Sequence, residues 1–68
     1  MQHLSRNLKT LRILKGLTQK QLSKEVHLTR YVYNRMENGK QTPDLYQLER
    51  ICDFHNKSFD QMLKETLQ

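Results

Sequence analysis

The sequence predicts an all-α fold: five short helices packed into one compact domain spanning residues 1–68. Three observations predict it. Apolar residues recur at helical three- and four-residue spacings, and no stretch alternates as a strand would. Helix-starting and helix-stopping residues fall between those stretches. The chain has 68 residues with only two glycines and one proline. That is room for one small domain, which buries about 60% of the surface its unfolded chain exposes.

The elements follow in order. Leu4, Leu8 and Leu11, continued by Leu14 or Lys15, predict a first helix over 4–15, stopped by Gly16. Thr18 with Gln21 forms a capping box that opens a second helix over 19–26, with Leu22 and Val26 inward. Thr29 is a good N-cap for a third helix over 30–37, with Tyr33 and Met36 inward. Asn38-Gly39 ends it, since both tolerate a left-handed backbone. Pro43 suits the start of a fourth helix over 44–55, carrying Leu45, Leu48, Ile51, Cys52 and Phe54 or His55. Asn56 is a left-handed C-cap. Ser58 with Gln61 makes another capping box, opening a fifth helix over 59–67 with Phe59, Met62, Leu63 and Leu67. Short connections between helices 2 and 3 allow a helix-turn-helix unit, though they also allow a plain bundle.

The charge is uneven. The net charge is +5, from 12 Lys and Arg against seven Asp and Glu. Residues 1–43 hold nine of the bases and two acids; residues 44–68 hold three bases and five acids. A basic first part points to an anionic partner for that part. Helix 3 sharpens the point. If Tyr33 and Met36 face inward, Arg30, Tyr31, Asn34 and Arg35 face out, with Glu37 only at the far end. Arg pairs with guanine, Asn with adenine, and an aromatic ring can pack on a thymine methyl. An ordinary solvated helix mixes its signs to gain i, i+4 pairs, and this face does not. Phosphate contacts would come from beside it: Gln19 at the start of helix 2, and Asn38 and Lys40 after helix 3.

The spacing resembles a known family. Arg12-x-x-x-Gly16-Leu17-Thr18-Gln19-x-x-Leu22-Ser23 is similar to the helix 1–2 junction of the lambda-repressor/Cro (Xre-type) helix-turn-helix proteins. So are Leu28-Thr29-Arg30, Arg35-Met36-Glu37-Asn38-Gly39, Pro43 and Ser58-Phe59-Asp60-Gln61-Met62-Leu63. The likeness covers about residues 4–64 without a gap. It implies a five-helix lambda-repressor-like domain that binds operator double-stranded DNA in the major groove, usually as a dimer. It also implies Arg30, Tyr31, Asn34 and Arg35 as base contacts, Gln19, Thr29, Asn38 and Lys40 as phosphate contacts, and an ion pair between Arg12 and Glu37 that braces the third helix. It further implies a cytoplasmic, bacterial or phage-encoded regulator, most often a repressor.

Departures from the pattern set further expectations. His27 stands where the family has Gly, so it must take a left-handed backbone or widen the turn. Ser23 replaces a common Ala. Tyr33 replaces a β-branched aliphatic and needs a partner for its hydroxyl. His55 and Lys57 replace apolar residues, so the corner between helices 4 and 5 is expected to be looser or partly exposed.

Competing functions find less support. His3, His27, Cys52 and His55 do not fall at a zinc spacing, so no metal site is expected. Cys52 reads as a small buried hydrophobe, and one cysteine allows no internal disulfide. No Gly-rich phosphate loop, paired carboxylates or Ser/His/Asp set argues for an enzyme or a cofactor. No signal-peptide run or bilayer-length segment is present, so a soluble, reducing compartment is expected, with no membrane partner. The fold takes up nearly the whole chain, so no sensor domain is expected. A protein-interaction module, such as an antitoxin using the same fold, is the main alternative. Ile13 and Leu14 fall at positions usually polar in the family, and Phe59, Leu63 and Leu67 form a stripe beyond what a small core needs. Helix 5 with the end of helix 4 is the expected homodimer interface, with the other patch left for a protein antirepressor or a toxin.

Overall fold

A computed structural model describes residues 2–65. They form α1 (Gln2–Leu14), α2 (Gln19–Glu25), α3 (Arg30–Glu37), α4 (Leu45–His55) and α5 (Phe59–Lys64). Among the described residues there is no strand. No helix among them is long and apolar enough to cross a membrane, and no cluster of three His, Cys, Asp or Glu could hold a metal.

Local chemistry sets each boundary. Gly16 takes φ 70°, and its N–H reaches Ile13 O at 2.9 Å, closing α1. Thr18 and Ser58 each make the reciprocal capping box with Gln21 and Gln61. Asp44 makes a third with Gln47, so it caps α4 from outside and the helix starts one residue later than expected. Pro43 sits buried just before it. Asn38 caps α3 with a right-handed backbone (φ −90°), and only Gly39 after it goes left-handed (φ 71°). α5 ends at Lys64; the part of the expected helix at 66–67, including Leu67, lies outside the described residues.

His27 resolves its conflict by strain. It adopts φ 60° in the α2–α3 turn, where its N–H still reaches Lys24 O at 3.3 Å and Leu28 N–H reaches Ser23 O at 2.8 Å. A left-handed backbone costs a β-carbon-bearing residue on the order of 1 kcal/mol. The turn thus keeps its tight geometry. Ser23 is buried and bonds back to Lys20 O at 2.9 Å, so it serves as a small residue where α2 meets α3.

The core joins Leu4, Leu8 and Leu11 of α1 to Leu22, Val26, Tyr33, Met36, Leu48, Ile51, Cys52 and Met62. α1 lies against both α3 and α5, α2 against α3, and α4 against α5. Some expected core positions fall outside it. Leu14 and Lys15 are both exposed, since α1 stops before another turn could point them inward. Leu45 is exposed in the first turn of α4, ahead of the stretch that packs. Leu63, by contrast, packs against the core.

Two polar side chains tie the bundle together. Asn7 lies in the α1 stripe beside Leu4, Leu8 and Leu11 and is fully buried. Its Nδ2 donates to Met62 O at 3.0 Å and Glu65 O at 2.6 Å, meeting the last carbonyls of the short α5. Arg50 Nε donates to Val26 O at 2.9 Å and so closes the end of α2 from α4.

The α4–α5 corner corrects the expectation of looseness. Asn56 turns left-handed (φ 55°), and Lys57 N–H bonds Cys52 O at 3.0 Å in a Schellman-type closure. His55 is only 6% exposed, its ring edge-on to Phe54 at 5.2 Å. Phe54 in turn lies under the Lys15 ammonium at 5.0 Å. Among the described residues, neither ring nitrogen of His55 has a hydrogen-bond partner. Burial, then the charges of Lys15 and Lys57, hold its pKa down to about 4.

Candidate nucleic-acid interface

α3 is built so that one face is locked and the other is offered. Thr29 caps it, its hydroxyl accepting from Val32 N–H at 3.1 Å and keeping its own O–H as a donor. Tyr33, Met36 and Glu37 are buried. The Tyr33 hydroxyl donates to Leu8 O at 3.3 Å, which answers the need its polar tip creates. Burial raises its pKa far above the usual phenol value.

Glu37 is the anchor. Arg12 grips it from α1 with two parallel donors, Nε to Oε2 at 2.7 Å and Nη2 to Oε1 at 3.2 Å. A third donor of Arg12, Nη1, reaches Leu17 O at 2.9 Å, holding the α1–α2 turn as well. Gln19 Nε2 adds a bond to Glu37 Oε1 at 3.1 Å from the start of α2. The pair lies inside: the side chains are 14% and 2% exposed. Burial alone would raise the carboxylate's pKa, but the hydrogen bonds from Arg12, the nearby Tyr33 hydroxyl and the hydrogen bond from Gln19 hold it below the usual range. The hydrogen bond to Glu37 raises the guanidinium's pKa in turn. Three helices thus meet at one buried charge.

The outer face carries the residues singled out from the sequence. Arg30 and Tyr31 are exposed, Tyr31 at 71%. Among the described residues no ion pair engages Arg30. Asn34 and Arg35 are half-buried. Arg35 is held rather than loose: Nε donates to Gln41 Oε1 at 3.2 Å, Nη2 to Lys40 O at 3.1 Å, and the guanidinium lies 5.8 Å from the Tyr31 ring centre. Glu37, the one acid of the helix, is turned inward and paired, so the outer face is acid-free.

The flanking residues divide. Lys40 is exposed after the Gly39 turn, and Thr29 is exposed at the head of α3. Gln19 and Asn38, expected beside the phosphates, spend hydrogen bonds within the protein. Asn34 Nδ2 donates to Gln19 Oε1 at 2.9 Å, and Asn38 Nδ2 donates to Asn34 Oδ1 at 3.1 Å. Gln41 was not singled out from sequence; nothing in a lone glutamine signals that it will hold an arginine six residues earlier. Of the expected dimer residues, Phe59 is at the edge of exposure (36%), Leu63 is half-buried, and Leu67 is not described. Besides Tyr31, the more exposed large apolar side chains among the described residues are Ile13, Leu14, Leu45 and Tyr46.

A capped helix presenting Arg and Tyr, braced from behind and preceded by a tight turn from a second helix, is the arrangement of a helix-turn-helix DNA-binding regulator. A family model described as "Helix-turn-helix" matches residues 8–62, and the chain belongs to that family, the Xre-type or lambda-repressor-like helix-turn-helix proteins. Comparison with curated proteins and with solved structures gives no match.

Proposed function

We propose that the protein is a sequence-specific regulator of transcription that inserts α3 into the major groove of operator DNA, binds as a homodimer and acts as a repressor. The observation that carries this is the acid-free outer face of α3, fixed in place by the buried Arg12–Glu37 pair. A major groove about 12 Å wide admits a helix, and its base edges distinguish all four base pairs. Arg30 and Tyr31 are the side chains best placed for direct contact, Arg30 to guanine and Tyr31 to a thymine methyl. Arg35 joins them from its cradle on Gln41 and the Lys40 carbonyl. Thr29 and Lys40 flank the helix and orient it by donating to phosphate oxygens. A bound domain of this kind represses by occupying its site.

As a symmetric dimer the protein would set two copies of α3 about 34 Å apart, matching inverted half-sites one helical turn apart. Phe59 at the head of α5 remains the proposed centre of that contact. The exposed Ile13 and Leu14 at the end of α1 favour a second binding surface, suited to a protein antirepressor or a toxin.

The test is binding to a defined operator duplex as salt is raised, with sedimentation of the complex to count protomers. Affinity that falls steeply with salt, a preference of a thousandfold or so over random duplex, and two protomers per operator support the proposal. Equal affinity for all duplexes contradicts sequence reading. One protomer per site contradicts the dimer.

A further inference from the structure

Asn34 differs from its neighbours on the outer face because its amide is held from both sides. Its Nδ2 donates to Gln19 Oε1 at 2.9 Å, and its Oδ1 accepts from Asn38 Nδ2 at 3.1 Å. Gln19 is held in turn, its Nε2 donating to Glu37 Oε1 at 3.1 Å. The chain of bonds runs unbroken from the buried ion pair out to exposed Asn38.

This chain has a direction, and Glu37 sets it. A carboxylate only accepts. Gln19 must therefore turn its NH2 toward Glu37, which leaves its carbonyl oxygen toward Asn34. Asn34 must then turn its NH2 toward Gln19, which leaves its oxygen toward Asn38, and Asn38 must donate. One buried charge thus fixes which way three successive amides face. A free amide would flip between its two orientations at little cost; here each flip breaks a bond with the next group.

The consequence falls on Asn34. A primary amide has two N–H donors and two carbonyl lone pairs. Asn34 has spent one of each, so it offers the groove one N–H and one lone pair. Adenine presents an acceptor (N7) beside a donor (N6), and that is the complement. Guanine presents two adjacent acceptors and would leave the carbonyl of Asn34 facing an oxygen. We propose that Asn34 reads an adenine, and that Gln19 and Asn38 are positioning residues that fix its amide rather than phosphate contacts. This rests on the proposed insertion of α3 into DNA and adds the base and the device that selects it.

The test compares base discrimination in wild type, Asn34→Ala and Asn38→Ala on the selected operator and its single-base-pair variants, with a thermal melt of each protein. Asn38 is exposed and its side chain bonds only Asn34 among the described residues, so its loss is expected to leave the fold intact, which the melt checks. The expected result is that Asn34→Ala abolishes a preference of roughly tenfold or more at one A·T pair. Asn38→Ala should lower the preference at that same pair severalfold, with its melt and its salt dependence unchanged. Gln19→Ala should lower it there too. A phosphate contact would behave otherwise: Asn38→Ala would weaken all sequences equally and flatten the salt dependence. That outcome overturns the proposal, as does an Asn34→Ala variant that keeps full discrimination at every position. If wild type selects no sequence at all, the DNA-reading function fails and this inference with it.

Discussion

Two buried titratable side chains lie in different parts of the molecule and are treated in opposite ways. Glu37, 8% exposed, receives donors from Arg12 and Gln19 and lies beside the Tyr33 hydroxyl. His55 is as deeply buried at the α4–α5 corner, yet neither of its nitrogens has a partner among the described residues. The first is a charge kept inside because three helices are organised around it. The second is an aromatic ring used as packing, kept neutral because nothing there can stabilise its charge. Burial alone therefore does not mark a functional polar group; the number and direction of its partners do. The α1–α3 contact, where the charge is satisfied, also braces the helix proposed to face DNA.

The largest effect should come from breaking the satisfied group. Glu37→Ala leaves the Arg12 guanidinium without its carboxylate, and a buried pair that loses one partner typically costs about 3–5 kcal/mol. Urea denaturation should show that loss. For a domain this small, such a loss takes a large share of the total stability.

Next in size is a change that removes what the anchor supports while leaving the anchor. Arg30→Ala should lower specific operator affinity by about 1–3 kcal/mol and relax the base preference at one position. Its urea midpoint should stay at the wild-type value, since Arg30 is exposed and unpaired in the described structure. Lys40→Ala should weaken binding to every sequence alike and lower the salt slope by about one. A variant of either kind that unfolds the protein would contradict the division between support and reading face.

The unsatisfied group predicts a gain. His55→Leu keeps the shape of the packing and removes two polar atoms that have no partner, so stability should rise by about 1 kcal/mol. The pH dependence separates the two groups. His55 is held neutral down to about pH 4, whereas in the unfolded chain it protonates near pH 6.5. Between those values the unfolded chain binds more protons, so stability is full above the window and falls as pH drops through it. Glu37 acts lower down: its stabilising share is present above the ordinary carboxylate range and is lost as pH falls through its depressed folded value. Thermal melts from pH 7 to pH 3 should show both limbs in wild type. In His55→Leu only the lower limb should remain; an unchanged upper limb would contradict the buried, neutral imidazole.

The smallest effect belongs to the exposed pair. Lys64 and Asp60 lie 3.6 Å apart with side chains about three-quarters exposed. Asp60→Ala should change stability by less than about 0.5 kcal/mol, which sets the scale against which Glu37 is judged.

The helices were legible because periodicity and caps act within a few residues of one another. Thr18, Thr29 and Ser58 each mark a start that a reader of the chain can see, and Gly16 and Asn56 mark ends. The conflict at His27 was legible, but only as a choice between a left-handed backbone and a wider turn; the structure takes the first. What stayed hidden is what periodicity averages away. Asn7 sits on the apolar stripe of α1 but reads as a polar interruption, because its partners are carbonyls more than fifty residues further on. His55 reads as a misfit at the corner, because a sequence does not say whether a neutral imidazole will be accepted as packing. Leu45 has the right spacing for the core but lies in the first turn of α4, before the helix meets its neighbours. The bond between Gln19 and Asn34 joins residues fifteen apart along the chain, on two different helices, where no local pattern reports it. The outer face of α3 was legible as a set of residues; its internal order was not.

The most direct test of the central claim, that the outer face of α3 reads DNA sequence, is selection of binding sites from a random duplex library at about physiological salt. Wild-type protein should enrich one site built of two inverted half-sites about one helical turn apart. A protein in which Arg30, Tyr31, Asn34 and Arg35 are all alanine should enrich none while keeping its fold by circular dichroism. If that quadruple variant enriches the same site as wild type, the recognition face lies elsewhere and the account is contradicted.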